Sequence, residues 1–96
     1  MTLDEIAALI TSRAKGRIRG SVRIEMPDLG TLYVDETGAV PSDAEAEITL
    51  TAKSDVFHAI ATGTQNPATA FMTRKLKVDG NPMRALKIGE ILSSDG

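Results

Sequence analysis

The chain has 96 residues, of which 42% are hydrophobic and 3% aromatic, and its formal net charge at pH 7 is −2. This length supports one hydrophobic core, so we expect a single domain over residues 1–96. The sequence has no cysteine and one histidine, which excludes disulfides and thiolate chemistry and leaves zinc or haem without their usual ligands, so we expect no cofactor and no metal site.

The first predicted element is a helix. Thr2 and Glu5 have the spacing of a capping box, and the apolar residues that follow recur at helical intervals to about Arg13. The helix should end near Gly16. Over residues 18–26 the period changes to two, which predicts a long amphipathic strand with a basic outer face.

The next segments predict a meander of strands. A turn at residues 27–30 leads into a returning strand around residues 32–34. A short third strand at residues 39–40 is limited to a sheet edge by the proline that follows it. Residues 41–45 are polar and acidic and are the best candidate for a crossover connection. Alternation over residues 46–51 predicts the fourth strand.

The C-terminal half predicts three helices and one strand. Ser54 can cap a helix that ends at Gly63. Asn-Pro pairs at 66–67 and 81–82 read as two further helix starts, with Asn as N-cap and Pro at the first helical position. Between them, Leu76 and Val78 alternate with charged residues as in a half-buried strand.

The resulting order, αββββααβα, predicts an α+β fold. We expect a five-stranded, mainly antiparallel sheet with helices packed on one face, and a crossover between the third and fourth strands. Each strand alternates cleanly, so one face of the sheet should meet water and the other should be covered by helices.

One segment carries a family resemblance. It comprises Asn66-Pro67, Ala70-Phe71-Met72, Lys75-Leu76-Lys77-Val78 and Gly80-Asn81. This pattern resembles the sterol carrier protein two family of lipid-binding domains, over about residues 16–92. The resemblance implies a non-enzymatic domain that binds and carries a fatty acyl, isoprenoid or sterol-like lipid in a hydrophobic cavity between sheet and helices. The chain has Arg74 where the family usually has glycine.

The resemblance also implies which side chains line the cavity. The candidates are the apolar residues expected to face inward: Ile24, Leu32, Phe57, Ile60, Phe71, Met72, Leu76, Met83, Leu86 and Ile91. Each of these residues is equally consistent with an ordinary hydrophobic core residue that contacts no ligand. Arg74 is the polar candidate for a contact with the lipid head group, and its alternative reading is a plain surface arginine.

Other functional classes find less support. His58 has no nucleophile motif around it. The acidic residues that lie close together in the sequence, such as Asp4 with Glu5 and Asp35 with Glu36, occur at a helix start or in a turn, where acids have local structural roles. We therefore expect no enzyme. Basic strand faces could hold phosphates, but stacking aromatics are scarce and the pI is near 5.3, so we expect no nucleic-acid partner.

Charge and hydropathy bear on location and partners. Basic residues are concentrated toward both ends of the chain and acidic ones in the middle, which can orient a protein transiently at a membrane surface or can reflect only solvated faces. Without an apolar run of ~20 residues or a signal peptide, a cytoplasmic protein is expected. The alternative function is a non-catalytic interaction or accessory domain whose apolar groove accepts a protein partner.

Overall fold

The computed structural model describes residues 2–93, and its elements follow the predicted order. The helices are α1 (Leu3–Ala14), α2 (Ser54–Thr62), α3 (Pro67–Met72) and α4 (Pro82–Leu92). The strands are β1 (Val22–Met26), β2 (Gly30–Asp35), β3 (Gly38–Pro41), β4 (Ile48–Thr51) and β5 (Lys77–Asp79). The predicted α+β class and element order are therefore confirmed.

The five strands form one sheet in the order β3-β2-β1-β4-β5. Strands β1 and β4 are parallel and the other neighbours antiparallel, which confirms the mainly antiparallel sheet. The chain crosses from the β3 edge to β4 through residues 42–47, as predicted for the connection between the third and fourth strands.

The strand register collects the apolar side chains on one face. Leu32 on β2 lies opposite Ile24 on β1, which is paired with Leu50 on β4, and Leu50 is paired with Val78 on β5. The first three are at most 1% exposed. The core continues from this row into buried side chains of all four helices.

Three helix starts have the predicted caps. At α1, the N–H of Glu5 donates to Thr2 Oγ1 at 3.1 Å, and Glu5 Oε1 accepts from the Thr2 N–H at 3.3 Å. Asn66 Oδ1 accepts from the Thr69 N–H at 3.1 Å. Asn81 caps α4 in the same way, with Pro82 at the first helical position. These caps need only neighbouring residues, so the sequence predicts them well.

The predicted strand over residues 18–26 is too long. Strand β1 begins at Val22, and residues 15–21 form a loop. Gly16 and Gly20 have φ angles of +74° and +78°, a left-handed conformation that bends the chain at both positions. Ile18 is nevertheless only 2% exposed. It fits the strand pattern of the sequence because it is buried, although it lies in a loop.

The cap of α2 also differs from the prediction. Ser54 is the first helical residue, after Lys53 at the N-cap position, which makes no side-chain cap. The capping acceptor is Asp28 from the β1–β2 turn: its Oδ1 accepts from the Ser54 N–H at 3.0 Å and its Oδ2 from the Ser54 hydroxyl at 2.6 Å. Both hydrogen bonds lower the pKa of Asp28 below its ordinary value of 3.8, and the bond from the Ser54 hydroxyl has the larger effect.

We expect Asp28→Asn to reduce the acid sensitivity of the fold. Because the pKa of Asp28 is lower in the folded than in the unfolded chain, its stabilisation is present above pH 3.8 and is lost as pH falls through the folded value. Melting temperatures followed by circular dichroism from neutral pH to pH 2 should therefore fall less steeply in the variant.

Asp35→Asn is the matched control for that measurement. The hydroxyl and N–H of Thr37 lower the pKa of Asp35 within a local turn, without joining two elements. Both variants should lose part of the acid dependence and part of the stability at neutral pH, and the loss at neutral pH should be larger for Asp28→Asn because its carboxylate joins the β1–β2 turn to α2. Identical curves for Asp28→Asn and the parent would contradict the proposed cap.

Candidate functional site

The side chains predicted to line a cavity fall into three groups. Five are buried in the core: Ile24, Leu32, Phe57, Ile60 and Leu76. Three are half-buried: Phe71, Leu86 and Ile91. Met72 and Met83 are 80% and 81% exposed, so the expectation that they face inward is wrong. The role of the ten residues in ligand binding stays a prediction.

The cavity-lining residues predicted on α4 are not its most buried ones. Ala85, Ile88, Gly89 and Leu92 are buried, whereas Leu86 and Ile91 are half-buried and Met83 is exposed. Gly89 explains the difference, because a Cβ atom there would lie 2.6 Å from Pro67 Cβ on α3. The spacing of the four buried residues was visible in the sequence, but small side chains carry little hydropathy signal.

A cleft lies between loop 15–21 and α4 and has a volume of about 230 Å³. We call it the α4 cleft, and its lining residues are Arg17, Ile18, Arg19, Arg84, Lys87, Ile88 and Ile91. Ile18 and Ile88 are buried and Ile91 is half-buried, whereas Arg19, Arg84 and Lys87 are exposed. The cleft therefore has an apolar floor and a cationic rim.

The floor of the α4 cleft is continuous with the hydrophobic core. Ile18 and Ile88 belong to the cluster of buried core residues, and Ile91 packs against that cluster. Among the residues that the sequence predicted for the site, Ile91 alone lines this cleft. Sequence reasoning missed Ile18 and Arg19 because it placed residues 18–26 on a strand. It missed the lining residues of α4 because the cleft forms only where that helix meets loop 15–21.

A polar network holds the rim of the cleft in place. Arg84 Nη2 donates to the backbone oxygen of Arg19 at 3.2 Å and to Glu47 Oε2 at 3.3 Å. Glu47 Oε2 also accepts from the Ser21 N–H at 3.2 Å, and its own N–H donates to Ser21 Oγ at 3.1 Å. A side chain at Gly20 would collide with the Glu47 carboxylate. Loop 15–21, β4 and α4 are thereby joined.

The rim keeps an excess of positive charge. Glu47 forms an ion pair with Arg84, whose side chain is 46% exposed. The side chains of Arg19 and Lys87 form no hydrogen bond or ion pair within residues 2–93. Cations at the mouth of an apolar cleft attract the anionic end of an amphipathic molecule.

Arg74, the predicted head-group contact, lies on a different cleft. That cleft has a volume of about 420 Å³ and shares no lining residue with the α4 cleft. His58 is exposed on α2. In the described part of the chain, no group of three or more histidine and acidic residues is arranged to hold a metal ion. Nor does any helix within residues 2–93 have the length and apolarity to cross a membrane.

Comparison of the sequence with protein families gives one informative match. The model of the SCP-2 sterol transfer family matches residues 6–93. Sterol carrier protein 2 of Gallus gallus is 40% identical over 58 residues, which cover 60% of this chain. The matched part amounts to 11% of that protein's length, so the chain spans a small part of this relative.

Solved structures agree with the family match. Sterol carrier protein 2 from Aedes aegypti, in complex with the C16 fatty acid palmitate, has a TM-score of 0.76 at 25% identity, over 97% of each chain. The apo form of sterol carrier protein 2 from Yarrowia lipolytica has a TM-score of 0.63 at 26% identity, over 92% of this chain and 73% of that one.

Proposed function

The chain belongs to the SCP-2 sterol transfer family, and from this premise we propose that it binds and carries an apolar lipid between its sheet and its helices. The α4 cleft is the observation that carries the proposal. It is a place where the hydrophobic core reaches the surface, and Ile18 and Ile88 belong both to its floor and to the core. An apolar chain entering there would exchange water for core side chains.

Among the lipid classes that the family resemblance implies, the rim favours a fatty acyl ligand. Arg19 and Lys87 can hold a carboxylate, whereas sterols and isoprenoid quinones present no anion to them. The Aedes aegypti relative is in complex with palmitate. We therefore propose a long-chain fatty acid whose carboxylate lies at the cationic rim and whose tail enters the core.

Entry of a long chain requires α4 to move. The α4 cleft, at about 230 Å³, is smaller than the ~300–1,000 Å³ of ordinary ligand pockets. The core beneath it is filled by tightly buried side chains. Displacement of α4 would open the interior, and burial of each methylene contributes about 0.8 kcal/mol toward the cost of opening. The contacts that must yield or shift include the ion pair of Arg84 with Glu47, the Arg84 hydrogen bond to the Arg19 oxygen and the packing of Gly89 on Pro67.

Mass spectrometry of an organic extract tests the function. We expect the purified protein to release a long-chain acyl species in stoichiometric amount, absent from a mock purification. If the extract is empty and the protein elutes as an oligomer or with another protein, the carrier proposal fails. That result would support the interaction-domain alternative, which the family match does not favour.

We propose that the domain acts as a carrier without a catalytic step and that residues 1–96 function as one lipid-binding domain. Transient membrane contact would serve the collection and delivery of a lipid. The cytoplasmic location and the existence of a protein partner stay predictions from the sequence.

A further inference from the structure

A second cleft lies between the start of α2 and the turn after α3. We call it the Arg74 cleft, and its lining residues are Lys53, Asp55, Val56, Ala59, Gln65, Arg74 and Lys75. Its volume of about 420 Å³ falls within the range of small-molecule sites. It therefore has room for a small organic group, and the lipid-carrier proposal does not use it.

The Arg74 cleft contains unbalanced positive charge. Lys53, Arg74 and Lys75 bring three cations to it, and Asp55 brings one carboxylate. Within residues 2–93, the side chains of these three cations form no hydrogen bond or ion pair. Asp28 partly offsets the charge of Lys53, so the excess of positive charge lies mainly at Arg74 and Lys75. Cations around a concave surface create a local field that concentrates anions.

The backbone places Arg74 in this cleft at an energetic cost. Its φ is +65°, and within residues 2–93 it is the one residue other than glycine with a positive φ. Glycine adopts this conformation freely, whereas a side chain is disfavoured there. The turn is fixed by backbone hydrogen bonds, since the Lys75 and Leu76 N–H groups both donate to the Ala70 oxygen, at 2.9 Å and 3.0 Å. A guanidinium at a position suited to glycine indicates use of the side chain.

We propose that the Arg74 cleft binds a phosphate group. A phosphate carries more than one negative charge near neutral pH, which matches the net excess of cations. The guanidinium of Arg74 offers paired donors that fit phosphate oxygens, and the two lysines contribute point charges. Val56 and Ala59 provide an apolar wall for the organic part of a phosphate ester. The Arg74 cleft shares no lining residue with the α4 cleft, so phosphate binding here can be tested independently of the lipid carrier function.

Titration with inorganic phosphate at low ionic strength, followed by backbone amide NMR, tests this proposal. We expect shifts concentrated at Lys53, Gln65 and the turn 73–75, and saturable binding. In Arg74→Gly the affinity should fall by about tenfold, since one charge-assisted donor group is lost. Lys77→Ala, which removes an exposed lysine of β5 outside the cleft, is the matched control and should bind like the parent.

The same variant separates binding from folding. Because glycine relieves the backbone cost at this position, Arg74→Gly should raise the melting temperature by about 4 °C while it weakens phosphate binding. A lower melting temperature would assign Arg74 a structural role and overturn the inference. So would phosphate affinity equal to that of the parent, or shifts spread evenly over all basic residues.

Vesicle sedimentation distinguishes two sources of the phosphate. Phosphatidic acid in phosphatidylcholine is compared with phosphatidylcholine alone. If the protein sediments with the vesicles that contain phosphatidic acid, if Arg74→Gly abolishes this, and if the protein also binds phosphate, the phosphate belongs to a lipid head group. Phosphate binding without such sedimentation supports a free phosphorylated compound. Absence of both overturns the site.

Discussion

Replacing Phe57 with alanine is expected to lower the free energy of unfolding by roughly 3–5 kcal/mol, a large share of the ~5–15 kcal/mol that holds a domain together. Phe57 is 2% exposed and is among the largest fully buried side chains. Its removal loses apolar burial and leaves a cavity that the sheet and α2 can fill only partly. Urea unfolding followed by circular dichroism measures the change.

Phe71→Ala is the matched control, because it removes the same ring from a half-buried position on α3. Its expected loss is below about 2 kcal/mol, since less apolar surface leaves the core. A loss below about 1 kcal/mol in Phe57→Ala would contradict the packed core. It would indicate an interior already open around Phe57, and α4 would then have no need to move for a ligand to enter.

The parts of the fold that the sequence predicted depend on nearby residues. The capping box of Thr2 with Glu5 joins positions three apart, and so does the cap from Asn66 to Thr69. Strand alternation is equally local, because successive side chains point to opposite faces. Element order and the apolar face of the sheet follow from such signals.

The errors arise where distant residues decide the local structure. Ser54 is capped by Asp28, 26 positions earlier, so the helix start is real but its acceptor could not be read from the neighbouring sequence. The face of α4 is set by the close approach of Gly89 to Pro67. The two-residue hydrophobic period of the sequence extends back to Ile18, but the left-handed conformations of Gly16 and Gly20 keep this segment out of strand β1.

The candidate site was harder to predict for the same reason. The α4 cleft brings Arg19 and Arg84 together across 65 positions, and its floor combines a loop residue with two residues of α4. Composition favoured an aliphatic interior but could not place its opening. Arg74 was identified as a polar candidate from the sequence, and the structure places it on a separate cleft, where it carries a different hypothesis.

Reversing two rim charges of the α4 cleft should impair fatty acid binding strongly. The double variant Arg19→Glu with Lys87→Glu replaces two cations by anions, and we expect palmitate affinity to fall roughly 30- to 100-fold. Both side chains are exposed and without side-chain partners in the described residues, so the fold should tolerate the change. Isothermal titration with palmitate, and with hexadecanol as the uncharged ligand of equal length, measures the effect.

The comparison between the two ligands is what assigns the rim its role. Hexadecanol has the same apolar chain but no carboxylate, so its affinity should change less than about threefold in the double variant. Lys77→Glu reverses a charge on β5, outside the cleft, and should affect neither ligand beyond that range. Equal losses for palmitate and hexadecanol would mean that the reversals disturb the apolar floor or the position of α4. The carboxylate would then lie elsewhere, and the cationic rim would lose its place in the proposed function.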